Sequence, residues 1–284
     1  MRTVFVNGEY VPEDQAQVSI FDRGFLFADA VYEVTAVLNG KLIDFDSHIK
    51  RLGRSLGELG ITAPLSDDDL LAMHRNLVEK NALQEGVVYM QITRGAADRD
   101  FDFSSMQTRP TIIAFTQEKK LEANPKFDEG QHIILAEDLR WGRSDIKTTQ
   151  LLYASLVKTH AKKSGVDDVW MHRDGTITEG SSNNAYIVTH AGEVVTRNLS
   201  NHILHGITRN VVNDVAKSCD LTLIERPFTI DELMEAKEAF TTSASGFVNP
   251  VVKVEGKPIG TGQPGEVSKL LLKHYLASRH AEAI

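Results

Sequence analysis

Runs of β-branched and aromatic residues recur along the chain, each short and bounded by polar or turn-forming residues. They lie at residues 31–38, 87–93, 111–116, 132–136, 168–172, 185–189, 193–196 and 239–242. Short apolar runs of this composition are typical of strands rather than helices. The pattern therefore predicts a chain rich in β-sheet, with strands in both halves.

Four dipeptides mark tight turns between strand-like runs. They are Asn7-Gly8, Asn39-Gly40, Asp174-Gly175 and Glu255-Gly256. Asn, Asp and Gly tolerate the positive φ that a two-residue hairpin requires. We therefore expect a β-hairpin at each of these positions.

Between the strands, apolar residues repeat at spacings of three and four, which predicts amphipathic helices. The first such face consists of Ile49, Leu52, Leu56 and Leu59. Gly60 ends this helix, and Ser66 with Asp69 resembles a capping box that opens the next one. Further helices are predicted at about residues 150–163, 207–217 and 266–280, with a capped helix starting near Thr229 and Glu232.

A polar stretch without periodicity separates two groups of elements. It covers residues 119–130 (KKLEANPKFDEG) and contains Pro and Gly, so it predicts a domain linker. We therefore expect an N-terminal α+β domain at residues 1–118 and a C-terminal domain at 131–284.

The composition of the chain limits the kinds of binding partner that are expected. The chain has 284 residues, of which 42% are hydrophobic and 25% charged, and its net charge is −8. No block of clustered Lys and Arg is present, so a nucleic-acid partner is not expected. No run of about eighteen apolar residues occurs and residues 1–11 lack a signal peptide's apolar run, so a membrane partner is not expected either. The single Cys219 cannot form an internal disulfide, and a cytoplasmic location is expected.

Lys147 is the first candidate for chemistry. It lies in the segment WGRSDIKTT, residues 141–149, which joins a predicted strand to a predicted helix. Such junctions often carry the chemistry of α/β folds, and a lysine placed there can form a Schiff base. Spacing alone also fits an ordinary surface lysine, so both interpretations stay open at this point.

Three further segments carry polar groups suited to binding. Glu179 stands among small hydroxyl and amide residues at 180–184, where a polar turn is the alternative. Residues 205–209 open a predicted helix whose N-terminus would suit a phosphate or be merely capped. Residues 241–246 are a second run of small hydroxyl residues. P-loop, Cys-x-x-Cys and His-Glu-x-x-His motifs are missing from the sequence, and its ten histidines show no metal-ligand spacing, so no metal is expected.

Taken in order, five segments resemble the fold-type-IV pyridoxal-phosphate enzymes. They are residues 22–34 (DRGFLFADAVYEV), 48–52 (HIKRL), 145–147 (DIK), 178–183 (TEGSSN) and 206–209 (GITR). The resemblance implies a two-domain fold of class α+β / α/β, with a smaller N-terminal α+β domain and a larger C-terminal domain. It also implies pyridoxal 5′-phosphate at the domain interface, and a homodimer in which a loop of the neighbouring subunit closes the site.

The resemblance also implies a role for individual residues. Lys147 would form the Schiff base with the cofactor, and Glu179 would contact the pyridine nitrogen. The phosphate would be bound by Arg51, by the backbone N–H groups of Ile207 and Thr208, and by the hydroxyls of Thr208 and Ser243. Ala244, which follows Ser243, would add a backbone contact. Together these roles imply ping-pong transamination between amino acids and 2-oxo acids.

Within the family, the run Val31-Tyr32-Glu33-Val34 favours the D-amino-acid branch, in which the tyrosine lies in the active site. That branch binds the substrate carboxylate through an Arg-x-His pair, which here is Arg99-Asp100-Phe101. Arg99 is thus expected to bind the carboxylate, while Phe101 removes one donor and makes the pocket more apolar. A D-amino acid such as D-alanine and an acceptor such as 2-oxoglutarate are expected. The alternatives are (R)-amines, branched-chain L-amino acids or, less favoured, aminodeoxychorismate lysis.

Overall fold

The computed structural model describes residues 1–284, and the backbone packs as two compact units. Unit 1 comprises Met1–Leu121, Ile146–Gln150 and Glu282–Ile284, and unit 2 comprises Glu122–Asp145 and Leu151–Ala281. Lys147, which the sequence-based division assigned to the C-terminal domain, thus belongs to unit 1. The linker at 119–130 and the domain boundaries beside it stay a prediction.

Unit 1 contains a six-stranded, fully antiparallel sheet. Its strands are β1 (Thr3–Val6), β2 (Glu9–Pro12), β3 (Ala30–Leu38), β4 (Lys41–Leu42), β5 (Glu85–Thr93) and β6 (Thr111–Glu118). Their spatial order is β2-β1-β6-β5-β3-β4. The long strands β3, β5 and β6 therefore stand side by side and provide the frame on which candidate residues are placed.

Three helices belong to unit 1: α1 (Arg23–Phe27), α2 (Phe45–Leu59) and α3 (Asp67–Lys80). The predicted apolar face of α2 is buried at Ile49, Leu52 and Leu56. Gly60 ends α2 at a φ of +62°, and the Ser66 hydroxyl accepts a bond from the Asp69 backbone at the start of α3. Burial of each such Leu or Ile stabilises the fold by roughly 1.5–3 kcal/mol. The predicted helices and their terminal residues are confirmed.

Two short segments are tied to unit 1 by backbone pairing. Thr148 pairs with Val31 as an isolated antiparallel bridge, and the backbone of residue 284 exchanges two hydrogen bonds with Leu42, at 2.8 and 3.1 Å. These bonds explain why the five residues around Lys147 pack with β3, although the chain on either side of them belongs to unit 2.

Unit 2 contains a nine-stranded mixed sheet. Its strands are β7 (Gln131–Glu137), β8 (Asp168–Arg173), β9 (Thr176–Gly180), β10 (Asn184–Val188), β11 (Val194–Thr196), β12 (Leu223–Glu225), β13 (Glu238–Ser243), β14 (Phe247–Val254) and β15 (Lys257–Pro258). The order is β12-β11-β10-β13-β14-β7-β8-β9, with β15 beside β14. Strands β7 and β8 pair in parallel, whereas β8 and β9 form a hairpin.

Five helices accompany this sheet: α4 (Lys126–Glu129), α5 (Leu152–Lys163), α6 (Ile207–Ser218), α7 (Ile230–Met234) and α8 (Glu266–Glu282). The predicted capping box at Thr229 and Glu232 opens α7 with both of its bonds formed. A core of Trp170, Ile177, Ile187 and Phe228 lies under the sheet. None of the helices is both long and apolar enough to cross a membrane.

All four predicted hairpins are present. In each turn both central residues have positive φ, as at Asn39 (+53°) and Gly40 (+72°) or Asp174 (+49°) and Gly175 (+72°). That conformation matches the right-handed twist of the flanking strands. The hairpin at Asp174-Gly175 matters most, because it returns the chain along β9 and so sets the position of Glu179.

Candidate active site

In unit 1, the backbone of Lys147 is fixed against the start of β3. The Tyr32 amide donates to the Lys147 carbonyl at 3.0 Å, and the Thr149 amide donates to the Ala30 carbonyl at 3.1 Å. The Lys147 amide donates to the hydroxyl of buried Ser55 at 3.4 Å. Lys147 therefore extends a strand edge with a defined register, which is unlike the environment of an unconstrained surface lysine.

The Lys147 side chain lies on the ring of Tyr32. Its Nζ is 4.1 Å from the ring centroid, a distance that suits a cation–π contact. Tyr32 in turn stacks on Tyr89 at 5.5 Å, and Tyr89 stacks on Phe115 at 4.9 Å. Burial, with a smaller contribution from Tyr32, raises the pKa of Tyr89 above its usual range. The lysine thus stands at the end of a row of three half-buried rings that crosses β3, β5 and β6.

Behind this row, a buried ionic cluster joins β3 to α2. Arg51 donates to both Glu33 oxygens, from Nε at 2.8 Å and from Nη2 at 2.6 Å, and His48 Nδ1 lies 2.7 Å from Glu33 Oε2. Burial alone would raise the pKa of Glu33, but Arg51 and His48 outweigh it and lower that pKa to about 2. The guanidinium of Arg51 is therefore held in a fixed orientation by an ionised carboxylate.

In unit 2, Glu179 lies on β9 with only 4% of its surface exposed. Its Oε1 accepts from Arg140 Nη1 at 2.6 Å, and its Oε2 accepts from Asn184 Nδ2 at 2.9 Å and from the Leu204 amide at 3.0 Å. A carboxylate has about four acceptor positions. Three of them are used within the protein, so Glu179 retains capacity for one further N–H donor.

Asn184 connects Glu179 to the start of α6. The same Nδ2 that donates to Glu179 also lies 3.0 Å from the Leu204 carbonyl. Its Oδ1 lies close to Gly206, the N-cap of α6, where any side chain larger than hydrogen would collide with it. Gly206 is thus required by the close approach of an amide side chain, and the acid and the helix start form one connected structure.

The N-terminus of α6 has the features of an anion site. No side chain caps the helix, whose first residues, Ile207 and Thr208, are buried. The first backbone N–H groups of a helix have no intrahelical partner and face a positive dipole end. Ser243 ends strand β13, which pairs with β10 at Asn184 and packs against α6. Asn184 thus connects Glu179 to the start of α6, and Ser243 and Ala244 lie at the end of β13, the strand next to β10 in the same unit.

The predicted substrate residues Arg99 and Phe101 lie on an exposed loop of unit 1. The Arg99 guanidinium carbon is 5.3 Å from the Phe27 ring centroid and 5.4 Å from that of Phe101. Arg23 donates to the Asp100 carbonyl at 2.6 Å, and the Arg94 guanidinium stacks on Phe103 at 3.8 Å. The loop is therefore anchored on both sides of Phe101, and Arg99 lies against two aromatic rings.

Sequence reasoning assigned no role to four residues that hold the candidate site residues in place: Glu33, His48, Arg140 and Asn184. Glu33 could have been found, because a charged residue inside a strand of β-branched residues needs a buried partner. His48 and Arg51 are three apart and so share a helix face, which points to the same cluster. Arg140 and Asn184 carry no comparable pattern, since their contacts depend on how β7, β9 and β10 lie in the sheet.

Comparison with solved structures identifies the fold. The Escherichia coli branched-chain amino acid aminotransferase aligns with a TM-score of 0.90 over 100% of this chain and 96% of its own, at 20% identity. A second branched-chain amino acid aminotransferase, that of T.th., was solved with pyridoxamine 5′-phosphate and has a TM-score of 0.91 over 99% and 94%, at 22% identity. At such identities the likeness establishes the fold alone.

Comparison of sequences identifies the family. The model of the class IV amino-transferases matches residues 30–254. The D-alanine aminotransferase of Staphylococcus aureus (strain MSSA476) is 38% identical over 271 residues, which cover 95% of each chain. That of Staphylococcus haemolyticus is 35% identical over 98% of this chain and 99% of its own, and that of Bacillus licheniformis is 36% identical over 94% and 93%. The chain therefore belongs to the class IV aminotransferases. The predicted fold type and the predicted pyridoxal-phosphate-dependent aminotransferase are confirmed.

Proposed function

We propose that the protein transfers the amino group of a D-amino acid, such as D-alanine, to a 2-oxo acid, such as 2-oxoglutarate. The observation that carries the proposal is the nearly full-length likeness to D-alanine aminotransferases of three species. The placement of Lys147 on Tyr32 supports it, because an amine held on a strand edge is suited to repeated proton transfer at one position.

The predicted site residues fit pyridoxal 5′-phosphate by the chemistry of their donor groups. Lys147 supplies an amine for the cofactor aldehyde, and Glu179 supplies a buried carboxylate for the ring nitrogen. Ile207, Thr208 and Ser243, with the backbone at Ala244, supply N–H and hydroxyl donors for the phosphate. Arg51 is proposed as its cationic ligand, oriented by Glu33.

In the proposed reaction, the cofactor when bound acts as an electron sink for the substrate carbon that loses its proton. With the cofactor bound, Nζ of Lys147 would act as the base that takes this proton and then as the acid that gives it back. Glu179 keeps the ring nitrogen protonated. Since one amine group is stored between the two half-reactions, the kinetics are expected to be ping-pong.

Carboxylate recognition is assigned to Arg99. Stacking against Phe27 and Phe101 reduces the freedom of its side chain, so less entropy is lost when it binds a carboxylate by two N–H groups. Phe101 offers no hydrogen bond of its own. We therefore propose Tyr32, Arg99 and Phe101 as substrate residues of a pocket that also tolerates (R)-primary amines.

Initial rates with D-alanine, L-leucine and (R)-1-phenylethylamine, each with 2-oxoglutarate, test the assignment. D-Alanine is expected to be fastest. Arg99→Gln is expected to raise KM for D-alanine about 10- to 100-fold, because a charge-assisted hydrogen bond contributes about 1.5–3 kcal/mol. The rate with (R)-1-phenylethylamine, which has no carboxylate, serves as the internal control and should change little. A dominant rate with L-leucine would refute the D-amino-acid assignment and favour the branched-chain alternative.

A homodimer is proposed from an exposed apolar patch on unit 1. Ile20, Phe25 and Phe101 are 70–75% exposed, and the segments that carry them are joined by the Asp22–Ala96 bridge and by a Phe27–Phe101 ring contact. Apolar patches of this kind mark interaction sites on proteins. We also propose action in the cytoplasm, since the one cysteine, Cys219, is free.

Light scattering after gel filtration tests the dimer. We expect twice the 31.5 kDa of one chain. Phe25→Glu is expected to shift the protein towards one chain without unfolding it, because that side chain is 74% exposed. A wild-type mass of one chain at micromolar concentration would be incompatible with the proposed dimer.

A further inference from the structure

Arg140 lies between two buried carboxylates just after β7. Its Nε and Nη2 donate to Asp138 Oδ1 and Oδ2 at 2.9 and 2.8 Å, and its Nη1 donates to Glu179 Oε1 at 2.6 Å. A two-pronged bond to one carboxylate fixes the plane of the guanidinium. The third donor is therefore directed at Glu179 by the geometry of the first two.

Asp138 is itself held in place. Its Oδ2 accepts from the Thr178 hydroxyl at 2.9 Å and lies 3.6 Å from Arg173 Nε, and its side chain is fully buried. Thr178 directly precedes Glu179 on β9. Glu179, Arg140 and Asp138 thus form a connected hydrogen-bonded network, and any displacement of Glu179 would break bonds in it.

Within this network the pKa of the Glu179 carboxyl lies above its usual range, and Arg140 limits the rise. Burial raises the pKa of the Glu179 carboxyl, and the attraction and hydrogen bond of Arg140 are the largest influences that oppose the rise. The Leu204 amide adds a smaller opposing contribution. Without Arg140, burial would favour the neutral acid, which cannot stabilise a protonated ring nitrogen by charge.

We propose that Arg140 is a positioning residue of the transamination: by its bond to Glu179 it keeps that carboxylate ionised and fixed in orientation. The inference rests on the proposed role of Glu179 towards the cofactor. Arg140 itself has no contact with the reacting atoms in this assignment. Asp138 acts one step further away, because it orients Arg140.

The test uses enzyme reconstituted with ¹⁵N-labelled pyridoxal 5′-phosphate, in which the ¹⁵N shift reports whether the ring nitrogen carries a proton. In the wild type the nitrogen is expected to stay protonated throughout the neutral pH range. In Arg140→Gln it is expected to lose its proton within that range. The cofactor dissociation constant is expected to rise about 10- to 100-fold, as for the loss of one charge-assisted bond. Arg140→Lys should restore protonation in large part.

A double-mutant cycle with Glu179→Gln separates positioning from a general structural role. If Arg140 acts through Glu179, then Arg140→Gln adds little to the loss of cofactor affinity already caused by Glu179→Gln. Additive losses of cofactor affinity in the two variants, or an unchanged ¹⁵N shift in Arg140→Gln, would overturn the inference. Arg226→Gln removes an exposed arginine paired with Glu232 at 2.6 Å and is the charge control, for which no change is expected.

Two further outcomes remain distinguishable. Should Arg140→Gln fail to fold, Asp138→Asn is added so that no uncompensated carboxylate remains at that position, and the same ¹⁵N measurement then decides. If the wild type itself binds no pyridoxal 5′-phosphate, the assigned role of Glu179 fails together with the inference. If the wild type binds it and only the variant shift is unaltered, the inference alone fails.

Discussion

Lys147→Ala is expected to reduce transamination by at least about 10³-fold, the largest loss of any single substitution in this chain. Two contributions disappear together: the covalent attachment of the cofactor and the amine that moves the substrate proton, which by itself is worth about 10²- to 10⁴-fold. The wild-type protein is expected to be yellow. Borohydride reduction followed by peptide mass analysis should place the cofactor on the peptide that contains Lys147.

Lys217→Ala is the matched control, because Lys217 is exposed and pairs only with Asp214 at 3.3 Å. Its activity should equal that of the wild type. Partial recovery of Lys147→Ala by added methylamine would assign the loss to the missing amine rather than to misfolding. Full activity of Lys147→Ala, or a cofactor adduct on another lysine, would refute the assignment.

Glu33→Leu is expected to lower the free energy of unfolding by about 3–5 kcal/mol, because it leaves the guanidinium of Arg51 buried without its carboxylate. The pKa of Glu33 gives a similar magnitude by linkage. It is lowered from 4.5 to about 2 in the folded state, so the ionised group contributes about 3 kcal/mol. The sign follows from the lowered pKa: the contribution is complete above about pH 4.5 and is lost as the pH falls through 2.

The double variant Glu33→Leu with Arg51→Leu distinguishes stability from binding. With both charges removed, the unfolding free energy should recover most of the loss, since buried ion pairs are often replaceable by apolar residues. The part not recovered is the contact of His48 with the Glu33 carboxylate. Its affinity for pyridoxal 5′-phosphate should still be reduced if Arg51 binds the phosphate. Arg54→Leu on the same helix, half-exposed and paired with Glu58 at 3.8 Å, should change stability by less than about 0.5 kcal/mol. Wild-type cofactor affinity in the double variant would contradict the role proposed for Arg51.

Local patterns were sufficient to predict most elements. Hairpins such as Asn39-Gly40 depend on the φ preferences of two residues, and helix ends such as Gly60 and Thr229 depend on caps within one turn. The short strand β12 was not predicted, because three residues carry too little periodicity to distinguish a strand from a loop. The short helices α1 and α4 were missed for the same reason.

The site could be predicted only in part, for a different reason. Lys147, Glu179 and the start of α6 stand in recognisable sequence segments. Their environment depends on residues distant in sequence, as with the 39 positions that separate Arg140 from Glu179. Nothing in the sequence around residue 147 indicates that it pairs with β3, since that pairing depends on packing between segments about 115 residues apart. The periodicity of apolar residues indicates only local secondary structure, whereas the partners of a buried charge depend on the tertiary fold.

The bridge between Val31 and Thr148 limits how this enzyme can be redesigned. Side chains on an extended segment alternate sides with every residue, so insertion of one residue between Lys147 and Thr148 would turn the amine away from the Tyr32 ring. Length variation is therefore more tolerable in exposed loops outside the site than in this five-residue segment. Libraries that aim at new donors should vary side-chain identity near Lys147 and keep the spacing of the chain unchanged.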